Sequence, residues 1–140
     1  MSFSNVSKLK GKLTGRRLVL LDTGATDQII CNSALISDIE PALAKKTVIT
    51  NAGKMVIDKK GLFPGIGEVY YHPSAVINVL SLGMIEAQPK RFDVGHVQGS
   101  HFTVKNETNG KIMRLALKRG LFLATVACVR ILVTMLPPMC

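Results

Sequence analysis

Leu18-Val19-Leu20-Leu21 is an unbroken apolar run that carries directly into Asp22-Thr23-Gly24-Ala25-Thr26. The run is too short for a membrane span and shows no helical stripe, so it predicts a buried strand ending in a turn at Gly24. A second nearly continuous run, Ala75-Val76-Ile77-Asn78-Val79-Leu80, predicts another buried strand. Between them the pattern is shorter and more broken. Thr26 to Asn32 predicts an extended piece. Ser33 to Ala44, with Pro41 inside it, predicts an irregular loop with a short helical turn. Val48 to Ile57 predicts a hairpin around an Asn/Gly-bearing loop. Gly65 and Gly67 kink a strand that runs to His72, and Ser81 to Gln88 predicts a short helix stopped near Pro89.

Beyond Pro89 alternation returns. Phe102 and Val104 form one apolar face. Met113, Leu115 and Leu117 form another after the turn at Asn109-Gly110, and Leu121 to Val126 predicts a last strand. The expected class is all-β, with about eight short strands, one short helix and a closed barrel in place of an open sheet. Residues 1–12 predict a basic arm, residues 13–126 the folded domain, and residues 127–140 an apolar tail. That tail fits a terminal strand or a chain end foreign to the domain. Leu121 to Cys140 has the length to cross a bilayer, but Arg130 near its middle is costly there, so no membrane contact is expected.

Composition narrows this picture. The 140 residues are 47% hydrophobic, enough for one packed domain, and without tryptophan the core must be mainly aliphatic. The net charge of +9 is scattered and not interleaved with aromatics. It reads as a solvated basic surface that leaves room for a weak, salt-dependent RNA contact. Cys31, Cys128 and Cys140 show no short pair and no zinc spacing, and read as free thiols in a reducing, cytoplasmic setting. No metal or cofactor is expected.

Asp22 carries the candidate chemistry. An acid at the end of a buried strand is costly unless it has partners or a task, so it is either a satisfied structural acid or a catalytic one. Gly24 lets the backbone approach, and its N–H can bond the carboxylate. One carboxylate is weak at amide hydrolysis, whereas two that share a proton can activate water and protonate the carbonyl. No second Asp-Thr/Ser-Gly occurs at Asp27, Asp38, Asp58 or Asp93, so two copies of the chain are needed.

Leu21-Asp22-Thr23-Gly24-Ala25-Thr26 resembles the active-site motif of retroviral-type aspartic proteases, the retropepsins. The ordered segments after it resemble, more narrowly, the protease region of copia-class retrotransposon Pol polyproteins. These are the Val48 to Ile57 hairpin, Gly65-Ile66-Gly67-Glu68-Val69, and His72-Pro73 leading to Asn78-Val79-Leu80-Ser81-Leu82-Gly83. The last is Lys118-Arg119-Gly120-Leu121-Phe122. The resemblance spans residues 17–126. It implies a homodimeric peptidase, one half-site per chain, that processes its own Gag-Pol polyprotein inside the cell or in virus-like particles. Asp22, Thr23 and Gly24 would be catalytic, with Thr23 locking the two loops across the dimer axis. Ala25 and Thr26 would line the floor, and Asn51, Ala52, Gly53 and Lys54 would form a flap tip over the peptide. The sequence departs from the retroviral pattern in having Thr26 before Asp27, and Gly83-Met84 where an arginine would stand. An inactive or domesticated barrel that binds or dimerises, and a basic nucleic-acid-binding barrel, are the alternatives.

Overall fold

The computed structural model describes residues 15–50, 53–127 and 129. The predicted basic arm, the flap-tip residues Asn51 and Ala52, and most of the apolar tail lie outside that set. The strands are β1 (Leu18–Asp22), β2 (Ile29–Ile30), β3 (Ser37–Thr50), β4 (Gly53–Phe63), β5 (Gly67–Tyr71), β6 (Asn78–Ser81), β7 (Phe92–Val97), β8 (His101–Asn106), β9 (Ile112–Lys118) and β10 (Leu121–Thr125). One short helix, α1 (Leu82–Glu86), follows β6, and single 3₁₀ turns occupy Gly15–Arg17 and Ser33–Leu35. The chain is all-β, as its alternation predicts.

The strands join in one ten-stranded sheet, in the order β3-β4-β5-β2-β6-β1-β10-β9-β8-β7. β1 lies inside it, parallel to β6 on one side and antiparallel to β10 on the other. Its lack of alternation has a direct cause, which is that both faces are covered. Val19 and Leu21 enter the main core with Ile30, Phe63, Leu80, Phe102 and Leu115. Leu18 and Leu20 point the other way, into a smaller cluster with Ile77, Val79, Leu121 and Leu123. Each such side chain contributes about 2 kcal/mol of burial.

The expected closure of the barrel is not made by backbone hydrogen bonds among the described residues, because β3 and β7 end the sheet. The sheet curls all the same. Phe63 and Ile66, at the turn after β4, share a core with Phe92, Phe102 and Val104 from the opposite end. Asn106 Nδ2 donates to the Gly65 carbonyl at 2.9 Å across that seam.

Other departures from the expected elements are local. The hairpin is much longer than Val48 to Ile57, and Ser37 to Ala44 is strand in place of irregular loop. Pro41 is the reason, since a proline suggests a break in the chain but its missing N–H is harmless on an edge strand. Register shifts beside it, between Ser37/Glu40 and Pro41/Lys46, absorb the misfit. β6 starts only at Asn78, so Val76 stays 58% exposed while Ile77 is buried. The extended piece at Thr26 to Asn32 shrinks to Ile29–Ile30. α1 and β10 stand where the pattern places them.

Candidate active site

Asp22 is the last residue of β1 and faces Ser81 across the parallel ladder. It is 7% exposed, so its carboxylate is largely removed from water. The Gly24 N–H donates to Asp22 Oδ1 at 2.8 Å. This is the bond that a glycine two residues past an aspartate permits, and it turns the chain out of the sheet at once. Thr23 and Gly24 are exposed beside the buried acid. Their polar groups are open to another molecule on the surface next to Asp22.

The turn is tied to the β6–α1 junction by one hydroxyl. Ser81 Oγ donates to the Ala25 carbonyl at 2.6 Å and accepts from the Met84 N–H at 3.1 Å, so Ser81 both caps α1 and fixes the motif. The Ser81 N–H donates to buried Gln28 Oε1 at 3.2 Å. Ala25 also packs against the smaller aliphatic cluster. Thr26 is exposed and its Oγ1 donates to Asp27 Oδ2 at 3.3 Å. The same Asp27 oxygen pairs with Lys46 Nζ of β3 at 3.3 Å, a link between the turn after β1 and the hairpin. Replacing Ser81 by Ala leaves the Ala25 carbonyl and the Met84 N–H without these partners. Chemical denaturation of Ser81→Ala is therefore expected to show a loss of about 2 kcal/mol.

One layer further in, Asn78 is fully buried and joins three segments. Its Oδ1 accepts from the Cys31 N–H at 2.9 Å, the Asn32 N–H at 3.0 Å and the Cys31 thiol at 3.4 Å. Its Nδ2 donates to the carbonyls of Arg16 at 3.0 Å and Leu18 at 2.9 Å. The start of β1 and the chain leaving β2 are thereby held to β6 by a single amide. Burial pushes the Cys31 thiol above its ordinary value, against the opposing charge of Arg16, and so keeps its proton on sulfur for the bond to Asn78.

The predicted site residues fall into two groups. Asp22, Thr23, Gly24, Ala25 and Thr26 form one continuous turn. Gly53 and Lys54 are exposed at the start of β4, where Gly53 adopts φ +118°, a conformation that favours glycine. In the sheet order β5, β2 and β6 stand between that hairpin and β1. Asn51 and Ala52 lie outside the described residues. Sequence reasoning does not place Ser81, Gln28 or Asn78 in the site, although Asn78 and Ser81 carry a signal as lone polar residues bracketing an apolar pair. Among the described residues no group of three His, Cys, Asp or Glu side chains is placed to hold a metal ion.

Chemically, the turn offers one carboxylate at the mouth of a rigid strand, with an exposed hydroxyl and an exposed glycine beside it. No protein-family model matches the chain, and no curated protein sequence matches it.

Proposed function

We propose that this chain is one half of a homodimeric aspartic endopeptidase of the retropepsin type, which processes a retrotransposon polyprotein, and that its curled sheet is the half-barrel of that enzyme. The observation that carries the reading is the setting of Asp22. It ends a strand covered on both faces, is held by the Gly24 N–H, and lies beside an exposed Thr23. A structural acid in that place would call for a salt bridge or several donors, whereas a catalytic one needs a fixed position and an open side.

Two copies of the turn facing each other bring two Asp22 carboxylates into one site. Like charges so close share one proton. The ionised carboxylate takes a proton from water as its oxygen attacks the scissile carbonyl carbon, and the protonated one gives its proton to the carbonyl oxygen. The tetrahedral diol then collapses, the C–N bond breaks, and the leaving amine takes a proton from the dyad. Substrate lies as an extended strand between the Ala25–Thr26 floor and the hairpin, where backbone hydrogen bonds supply affinity. Thr23 contributes hydrogen bonds between the two turns.

The test is cleavage of a mixed peptide library by the purified chain, with sedimentation on the same samples. Specific activity should fall faster than linearly on dilution, be greatest under mildly acidic conditions, and disappear with a hydroxyethylene transition-state mimic. A fully active monomer would sink the shared dyad. A stable dimer that cleaves nothing at any concentration would leave the binding-module reading in its place.

A further inference from the structure

The turn that joins β8 to β9 through residues 107–111 holds a reactive pair that the candidate site does not use. Asn109 is the only asparagine of the chain that a glycine follows. A backbone nitrogen whose own residue has no Cβ has the least obstructed approach to the side-chain amide carbon of the residue before it. The two reacting groups stand on adjacent residues, so the attack is intramolecular and closes a five-membered ring.

The other described asparagines have both ends of the amide held. Asn32 Nδ2 donates to the Arg16 carbonyl at 2.9 Å, and its Oδ1 accepts from the Ala34 N–H at 3.0 Å. Asn106 Nδ2 donates to the Gly65 carbonyl, and its Oδ1 accepts from the N–H groups of Thr108 and Asn109. Asn78 is buried and bonded at both ends as well. Asn109 differs. Its Oδ1 accepts from the Lys111 N–H at 2.9 Å, but its Nδ2 has no hydrogen bond among the described residues. The Lys111 N–H therefore polarises the carbon to be attacked and supports the charge that gathers on Oδ1, while the group that must leave is unrestrained. Residues 107–110 are exposed, so water and hydroxide reach the turn. One bond opposes the step. The Gly110 N–H donates to the Asn106 carbonyl at 2.7 Å and must release it first.

We propose that Asn109 is a self-modifying site, at which the chain converts its own amide to a carboxylate through a succinimide. Gly110 gives its N–H proton to hydroxide, and its nitrogen bonds to Asn109 Cγ. The Cγ–Nδ2 bond then breaks, and Nδ2 leaves as ammonia with a proton from water. A water molecule opens the ring at one of its two carbonyls. Opening at Cγ gives aspartate. Opening at the main-chain carbonyl gives isoaspartate, with one more carbon in the backbone. No atom is oxidised or reduced. The product places a negative charge, and in its β-linked form a longer chain, in the turn that sets Asn106 against Gly65. That bond spans the seam of the curled sheet, so the seam loosens as the protein ages. Neither the peptidase reading nor its dimer enters this proposal.

Peptide mapping by mass spectrometry tests it, on the folded whole chain incubated at mildly alkaline pH in water labelled with heavy oxygen. The peptide holding Asn109 should lose its amide nitrogen and gain one heavy oxygen, in both aspartate and isoaspartate forms, at a rate that rises with hydroxide. Asn109→Gln, which must close a six-membered ring, should convert at least about tenfold more slowly at this position. Amide exchange around Gly65 and Asn106 should be faster in the aged protein than in the fresh one. Conversion at Asn32, Asn78 or Asn106 ahead of Asn109 overturns the proposal. So does product without isoaspartate, since direct hydrolysis of the side chain gives aspartate alone. An Asn109 still intact when a free peptide of the same turn has reacted to completion overturns it too, and unchanged exchange in the aged protein overturns the loosened seam. The parent chain carries these readings by itself if Asn109→Gln fails to fold.

Discussion

Asp22→Asn is expected to abolish peptide cleavage, with a fall of at least about a thousandfold, while the fold and the dimer persist. The first part follows from the proposed dyad and the second from the local geometry. In the proposed dimer the substitution removes the proton-transfer group from both subunits together, because each would contribute the same residue. The bond that holds the turn survives, since an amide oxygen accepts from the Gly24 N–H as the carboxylate Oδ1 does at 2.8 Å. Burial at 7% exposure favours the neutral side chain further. Circular dichroism and sedimentation should therefore match the parent protein while the cleavage assay reads background. Retained cleavage would remove the peptidase reading, and loss of fold would return Asp22 to the role of a structural acid.

The second large effect is expected at Asn78, and it lies in stability. Asn78→Leu fills nearly the same space but leaves the N–H groups of Cys31 and Asn32 and the carbonyl of Leu18 without the amide they bond now, while the Arg16 carbonyl keeps only Asn32 Nδ2. Buried groups left so cost about 1–3 kcal/mol each, less where the chain relaxes, so a net loss of about 4 kcal/mol is expected. That corresponds to about 15 °C in Tm for a domain of this size, measurable by calorimetry. A change of only a degree or two would mean that water replaces the amide and that Asn78 is not the joint described above.

Much of this is legible in the sequence because burial on both faces leaves a plain mark. Leu18 to Leu21 can only be an inner strand, and Asp22-Thr23-Gly24 can only come after it as a turn. Alternation at Phe102/Val104 and at Met113/Leu115 likewise reveals β8 and β9. What escapes is set by partners distant in the chain. β3 is hidden by Pro41, whose cost vanishes on an edge that no local window reveals. β7 is hidden by Gly95 and His96, which blur its alternation. His96 stays exposed while its ring stacks on Phe102 at 4.0 Å, a contact from the next strand. Asn78 and Ser81 look like interruptions of an apolar run, yet each answers donors and acceptors supplied by segments well over a dozen residues away. A sequence shows that a polar residue is buried sooner than it shows what satisfies it.

The placing of β1 has a consequence for how the molecule fails. A strand laddered on both edges and covered on both sides belongs to the last cooperative unit to open, whereas the β3–β4 hairpin, with Leu43 and Ile49 almost bare, belongs to the first. Fluctuations that lift the hairpin therefore leave Asp22 where it is. The carboxylate keeps its position for as long as the domain exists, and the early opening motions are confined to the hairpin.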